Sequence, residues 1–310
     1  MASILKFVVK RLLAGLVVVF LVASAVFFVT RIVTKPELTF LPIDATPAQR
    51  AAVQQYLGLD RPLVEQYGAF IGKLAQGDLG QSFWQEGKAA LPLVLDRLPA
   101  TFYLTGVAMI MALLLAVPLG IIASLRPGKL LDRATVTVSL LGLSAPQFWL
   151  GFMLILIFGV KLQWFPTSGD QTPAAVVLPA LALALPTAGK ITQMMRSGML
   201  DEMDQSYMLT ADAKGLSLWY RITHHALRNS MVPVLTQSSF EYARMLAGFT
   251  VVVETVFAWP GIGLLMIQAL QQQDLVLVQA IVVVVAVIIV VLNILTDVLY
   301  KLVDPRIELA

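Results

Sequence analysis

Residues 99–125 read PATFYLTGVAMIMALLLAVPLGIIASL, a run without one charged side chain. At about 1.5 Å of rise per residue, a helix of that length crosses the roughly 30 Å of hydrocarbon in a bilayer. Comparable apolar runs lie on either side, at Phe7–Val33, Ala134–Val160, Val177–Met195, Met231–Phe257 and Leu275–Tyr300, so six spans are expected. Hydrocarbon offers the backbone no hydrogen-bond partners, which leaves helices or a closed barrel, and the runs lack the period-two alternation of a barrel strand. The fold class is therefore an all-α membrane protein. Composition agrees: of 310 residues 58% are apolar and only 13% charged, and the mean hydropathy is strongly positive. A net charge of +3 gives nucleic acid no electrostatic foothold. The absence of cysteine excludes a disulfide framework, a thiolate metal site and a cysteine nucleophile. The first run has the flanks of a signal peptide, with Lys6, Lys10 and Arg11 before it and Ala23-Ser24-Ala25 within it. It continues through Phe27, Phe28 and Val29, too long for a cleaved apolar core, and is expected to stay as a span.

Orientation follows from the basic residues of short loops. Lys6, Lys10 and Arg11, then Arg126, Lys129 and Arg133, then Arg196, Lys214, Arg221 and Arg228, and finally Lys301 and Arg306 fall at one set of ends. The short loops on the other side hold only Lys161, which places both termini in the cytoplasm. The expected organisation is an N-terminal tail and first span over 1–33, an external segment over 34–98, and a five-helix core over 99–310 that includes a cytoplasmic loop at 196–230. The external segment carries folding signals. Thr46-Pro47 offers an N-cap with Gly58 as its stop, and a second helix runs from Pro62 to Ala75, closed by Gly77. Such a segment either shields helix ends or docks an external partner, and the two uses are compatible.

Between the fourth and fifth spans, Tyr207 to Arg228 is too polar to cross the membrane and longer than a turn requires. On a helical wheel Lys214, Arg221, His225 and Arg228 share a sector, while Leu216, Trp219, Ile222, Ala226 and Leu227 occupy the other side. One reading is an interfacial helix lying on lipid headgroups. Gly215 suggests another, a helix-turn-helix whose break permits close backbone approach.

The stretch Tyr207-Met208-Leu209-Thr210-Ala211-Asp212-Ala213-Lys214-Gly215-Leu216, followed by His225-Ala226-Leu227-Arg228-Asn229 and Pro233, resembles the cytoplasmic coupling motif of ABC-importer permeases, most closely the dipeptide, oligopeptide and nickel branch. The resemblance extends along the chain. Gly58-Leu59-Asp60-Arg61-Pro62 and Gly77-Asp78-Leu79-Gly80-Gln81-Ser82 are similar to the branch's external segment. Arg126-Pro127-Gly128 with Asp132-Arg133, Ser144-Ala145-Pro146-Gln147-Phe148-Trp149, Trp164-Phe165-Pro166-Thr167-Ser168-Gly169, Glu254-Thr255-Val256-Phe257-Ala258-Trp259-Pro260-Gly261-Ile262-Gly263 and Asp304-Pro305-Arg306 continue it. Two departures stand out. Asp212 replaces the arginine of the family's usual Thr-Ala-Arg-Ala-Lys-Gly, and Thr34-Lys35-Pro36-Glu37 stands where Gly-Asp-Pro is common.

The resemblance implies that Thr210, Ala211, Asp212, Ala213, Lys214, Gly215, Leu216, His225 and Arg228 form a short coupling helix that enters a groove on an ATP-binding subunit. It also implies a second homologous permease, two ATP-binding subunits, an external substrate-binding protein, and peptide as the cargo, with nickel or a metal chelate as the alternative. The chain has no Gly-x-x-x-x-Gly-Lys-Ser/Thr phosphate loop, since its Gly-Lys pairs at 87–88, 128–129 and 189–190 lack the required neighbours. It is expected to bind no cofactor itself and to be non-catalytic, with ATP and Mg held by partner subunits.

Charges inside spans are default functional candidates because each is costly unless paired or wetted. Glu241 and Arg244 share a helix face at a spacing of three. They either line the substrate passage or form a structural pair. Lys190 and Asp297 are expected to reach toward the cytoplasm, and Glu254 to fix a helix contact at the external turn. His224 and His225 point about 100° apart on a helix and make a poor metal pair. An ion-coupled secondary transporter is the rival from another class, with Pro118, Pro146, Pro179 and Pro186 as possible span breaks, but no convincing inverted repeat accompanies them.

Overall fold

The computed structural model describes residues 2–32, 46, 48 and 60–303. Among them the regular structure is helical, apart from one isolated bridge between Gln81 and Ala89. The expected helix between Thr46-Pro47 and Gly58, the Thr34-Lys35-Pro36-Glu37 turn and the Asp304-Pro305-Arg306 ending lie outside the described residues. The helices are α1 (Ala2–Ile32), α2 (Leu63–Ala75), α3 (Ala90–Leu125), α4 (Leu130–Ser144), α5 (Gln147–Leu154), α6 (Val177–Met203), α7 (Ser206–Ala213), α8 (Leu218–Arg221), α9 (Leu227–Arg244), α10 (Thr250–Val256), α11 (Ile262–Gln271) and α12 (Leu275–Val303).

Four helical stretches are long and apolar enough to cross a membrane: Val9–Arg31, Ala90–Leu125, Pro173–Met203 and Leu275–Val298. The third expected span is instead two helices, Leu130–Ser144 and Gln147–Lys161, bent by 104°, and counting them as one gives five. The bend has a local cause. Proline disfavours helical backbone at the residue before it, and Ala145, which precedes Pro146, adopts φ −75° and ψ 129°. The fifth expected span, Met231–Phe257, is not among these stretches. Its first half, in α9, carries Thr236, Gln237, Ser238, Ser239, Glu241 and Arg244, and the helix is then interrupted by a π-helical turn over Met245–Phe249, where Gly248 takes φ 142°.

The chain divides into two compact units, the first formed by residues 1–99 and 261–294 and the second by 100–260 and 295–310. In the first, α1 meets α2 through aromatic rings: Phe27 stacks on Phe70 at 5.1 Å and Phe28 on Tyr67 at 5.2 Å between centroids. The Tyr67 hydroxyl shares a 2.7 Å hydrogen bond with Ser24 Oγ. Helix α2 ends as its caps direct. Gly77, at φ 77°, lets its own N–H reach Leu74 O and that of Asp78 reach Lys73 O, which satisfies two otherwise orphaned carbonyls. Ala90, Val94, Ile262, Leu265, Ala269, Leu277 and Ile281 form the unit's apolar core.

Asp274 is the polar centre of this unit and is 1% exposed. Its Oδ1 accepts the Leu277 N–H at 3.0 Å and so caps α12. Its Oδ2 accepts the Ser82 hydroxyl at 2.5 Å and the Trp84 N–H at 3.1 Å. One carboxylate thus starts a spanning helix and anchors the 82–84 turn.

The second unit is built around α6. Two-thirds of its most apolar window is buried, 67% against 17% for α1. Its small residues permit that depth: a Cβ on Gly189 would sit 2.6 Å from Ser139 O, so α4 and α6 touch backbone to backbone. Around it pack Leu104, Leu154, Phe257 and Trp259 at one level and Ala116, Ile191, Met195, Met199 and Ile222 at another. Glu254 is fully buried, accepts the Thr101 hydroxyl at 2.8 Å, and precedes the Trp259 turn, where the indole donates to Ala100 O at 2.9 Å.

Asp274→Ala removes a cap and two buried bonds to a charged acceptor, and is expected to cost about 2–4 kcal/mol. The check is the thermal-inactivation midpoint of purified protein, with Asp274→Asn, still an acceptor and a good cap, falling between the variant and the wild type.

Candidate functional site

Helix α6 runs directly into the stretch singled out by the sequence. After a two-residue turn at Asp204 and Gln205, α7 buries Met208 and Ala211, and Met208 joins the apolar cluster that holds Met195, Met199, Ile222 and Ala226. It stops at Gly215, whose φ of 76° is readily open only to glycine. The Gly215 N–H reaches Asp212 O at 2.8 Å and the Leu216 N–H reaches Ala211 O at 3.2 Å, the pair of bonds that defines a Schellman stop. Ser217 then caps α8 by accepting the Tyr220 N–H at 3.3 Å. The segment is thus a helix-turn-helix and not one interfacial helix. The continuous wheel fails past Gly215: Ile222 and Ala226 are buried as it requires, but Trp219, on the same wheel face, is 66% exposed.

Asp212, the departure from the family's arginine, has an internal role. Its Oδ1 lies 2.8 Å from Arg221 Nη1, joining α7 to α8 across the turn. The root of the protrusion is tied by a second polar cluster. Tyr207 donates to Glu202 Oε2, and Asn229 Nδ2 donates to Glu202 Oε2 at 3.1 Å and to Tyr207 Oη at 3.2 Å, linking the end of α6 to the starts of α7 and α9. Desolvation, followed by the Glu202 bond, raises the Tyr207 phenol above its ordinary value, so it remains a proton donor at neutral pH.

Thr210, Lys214, Leu216, His225 and Arg228 line one open cleft together with Tyr220, which stacks on His224 at 4.1 Å. Ala213 is exposed beside it, as is the apolar side chain of Leu209. Ala211 touches the cleft but is turned inward, at 7% exposure, so it is a packing residue of the knob and not one of its exposed contacts. The structure therefore gathers the sequence-derived set around one protrusion, with Gly215 as the stop of α7 and Asp212 as its brace.

Glu241 and Arg244 lie elsewhere in the same unit, on a cavity of about 340 Å³. Arg244 Nη1 is 3.0 Å from Glu241 Oε1, as the spacing anticipates. Lys190, expected to reach for the cytoplasm, instead donates to the same oxygen at 2.8 Å, and Gln237 adds a third bond at 3.1 Å. The reason is electrostatic: a carboxylate at 6% exposure is costly to leave uncompensated, so it draws in the cations within reach. A lysine and a glutamate that both fall within apolar runs are natural partners, and that signal was available in the sequence.

A further cluster was not legible. Arg196 grips Asp132 with two bonds, Nε to Oδ1 and Nη2 to Oδ2, the second at 2.8 Å, and Asp132 Oδ2 also accepts the Gly128 N–H at 2.7 Å. Sequence gives both residues the look of solvated loop charges, yet Asp132 is 3% exposed. The clamp fixes the 126–129 turn and α4 to α6.

Apolar helices of spanning length, with a polar helix-turn-helix set between them, define a multi-pass membrane protein. Residues 116–309 match the family described as binding-protein-dependent transport system inner membrane component, and residues 4–105 match that family's N-terminal region. The chain belongs to that family and is a multi-pass inner-membrane protein. It is 34% identical over 304 residues to the glutathione transport system permease protein GsiC of Escherichia coli O6:H1, covering 98% of this chain and 99% of that one. It is 33% identical over 324 residues to a putative peptide permease protein of Brucella suis biovar 1, covering 99% and 100%. Among solved structures it resembles an inward-facing form of the MetNI methionine ABC transporter, with a TM-score of 0.59 at 16% identity over 68% of this chain and 96% of that one. An amino acid ABC transporter gives 0.51 at 17% identity over 70% and 94%. These two likenesses concern the fold.

Asp212→Arg sets two like charges against each other across the turn and is expected to lower transport several-fold, whereas Asp212→Arg combined with Arg221→Asp restores most of it. Uptake by vesicles carrying each variant, corrected for the amount inserted, is the check.

Proposed function

We propose that this chain is the permease subunit of an ATP-binding-cassette importer and forms, with a second homologous permease, the passage for peptides delivered by an external binding protein. The observation that carries the proposal is the helix-turn-helix closed by Gly215. It is a stiff knob, with exposed Ala213 and Leu209 beside a basic cleft, rooted on a helix that also bears the charged cavity. Two ATP-binding subunits hold ATP and Mg, the chain itself is non-catalytic, and both termini face the cytoplasm. Closure of the ATPases pulls on α7 and α8, and α6 carries the displacement to the cavity because the Glu202 cluster, the Arg196–Asp132 clamp and the Gly189 contact leave it little slack. Glu241 and Arg244 then lie on the passage. The glutathione and peptide permeases among its relatives support a peptide cargo. Nickel or a metal chelate is the alternative within the branch, and an ion-coupled secondary transporter is disfavoured by family membership.

Proline at 215 would impose a φ near −65° on a residue at 76° and delete the N–H that closes α7. Gly215→Pro is therefore expected to lower ATP-driven uptake by at least about tenfold while insertion into the membrane persists. Cysteine placed at Ala213 should crosslink to an ATPase subunit in the working complex. Full uptake in the proline variant, or no crosslink in an active complex, would count against the coupling role. Mass spectrometry of the ligand carried by the complete complex should find a peptide pool, and a chelated metal in its place would replace the peptide reading.

A further inference from the structure

The cavity beside α6 is lined, among the described residues, by a cluster of charged side chains. Its charged lining residues are Lys190, Arg244 and Glu241, two cations against one carboxylate, set among Leu143, Phe148, Met245 and Val252. Glu241 Oε1 receives Lys190 at 2.8 Å, Arg244 at 3.0 Å and Gln237 at 3.1 Å, while Oε2 receives Arg244 at 3.3 Å. The buried carboxylate therefore holds both cations in place at the cavity wall, and their side chains stay 32% and 44% exposed. Each cationic side chain keeps about a third or more of its surface exposed at the cavity wall, where it can attract the anionic group of a ligand. An ammonium and a planar guanidinium held side by side are the donor set that recognises a carboxylate.

We propose that this cavity binds the C-terminal carboxylate of the passing peptide, through Lys190 and Arg244, with Glu241 keeping the attraction weak enough for release. The proposal rests on the peptide reading and adds an order to it: the chain's own glutamate and the cargo's carboxylate compete for Lys190. Because Lys190 is on α6 and Glu241 on α9, an arriving carboxylate loosens the bond between those helices as it binds. That ties occupancy of the cavity to freedom of the helix that ends in the coupling knob.

The test uses the assembled, detergent-purified complex without its binding protein, so that retention reports on the passage alone. A mixed tripeptide library as free acids, and the same library C-terminally amidated, are equilibrated with the complex and the retained pools counted by mass spectrometry. The wild type is expected to retain acids over amides by about tenfold, the worth of one bond to a charged group. Lys190→Gln and Arg244→Gln each bring the ratio toward one, and Glu241→Gln raises it and slows release. Acetate should displace the retained acids from the wild type, a readout that needs no variant. A wild-type ratio near one, or a ratio that neither glutamine variant at the cations changes, overturns the proposal. Uptake of the library by vesicles carrying the full system is read separately: uptake alongside a retention ratio of one leaves peptide import standing and sinks this site alone, whereas no uptake of either library sinks the import reading itself.

Discussion

The close contact of α6 with α4 is the constraint on which the second unit depends. With hydrogen in place of a side chain at Gly189, the backbone of α6 lies against Ser139 at a distance no larger residue permits. Packing interactions in a membrane rely on such approaches, since lipid chains are as apolar as leucine and the hydrophobic effect gives helices no reason to prefer one another. Once α6 is seated, it presents Lys190 to the cavity, Arg196 to Asp132 and Glu202 to the root of the protrusion. Each contact is ionic or charge-assisted, and together they join α6 to α4, α7 and α9. A single buried helix therefore carries a charge at the cavity, the clamp at its end and the knob beyond it.

This arrangement gives the polar residues of an apolar chain distinct tasks. Asp274 and Glu254 are fully or almost fully buried acids that accept bonds from hydroxyls and, at Asp274, from backbone N–H groups, and they fix turns. Asp132 is paired with one cation by two bonds and fixes a helix. Glu241 stands between two cations and is the exception, because its partners keep exposed surface at a cavity wall.

Much of this was written locally in the sequence. Gly77 and Gly215 were readable as stops because a left-handed cap needs only the glycine and the turn before it. The span-length helices were readable from uninterrupted apolar runs. The bend at Ala145 was harder, since Pro118, Pro146, Pro179 and Pro186 all fall in apolar stretches. Pro146 alone separates two helices; Pro179 sits in the first turn of α6, where a missing N–H costs nothing, and Pro118 and Pro186 are absorbed within long helices. The polarity of α9 was visible residue by residue but hidden by the apolar stretch that follows it. The partner of Asp132 depends on which helices meet, which no single stretch of sequence contains.

The central claim is that the protrusion and α6 move as one body when ATP binds. The chain has no native cysteine, so two substitutions, at Ala213 on the knob and Ala174 before the far end of α6, suffice to place a pair of spin labels. Pulsed dipolar spectroscopy on the complete transporter would compare the nucleotide-free and ATP-bound states. This distance is expected to hold within about 2 Å, the scale of small helix shifts, while the distance from Ala213 to a label on the second permease changes by more. A knob that shifts against α6 by more than that, in a complex still transporting, would contradict it.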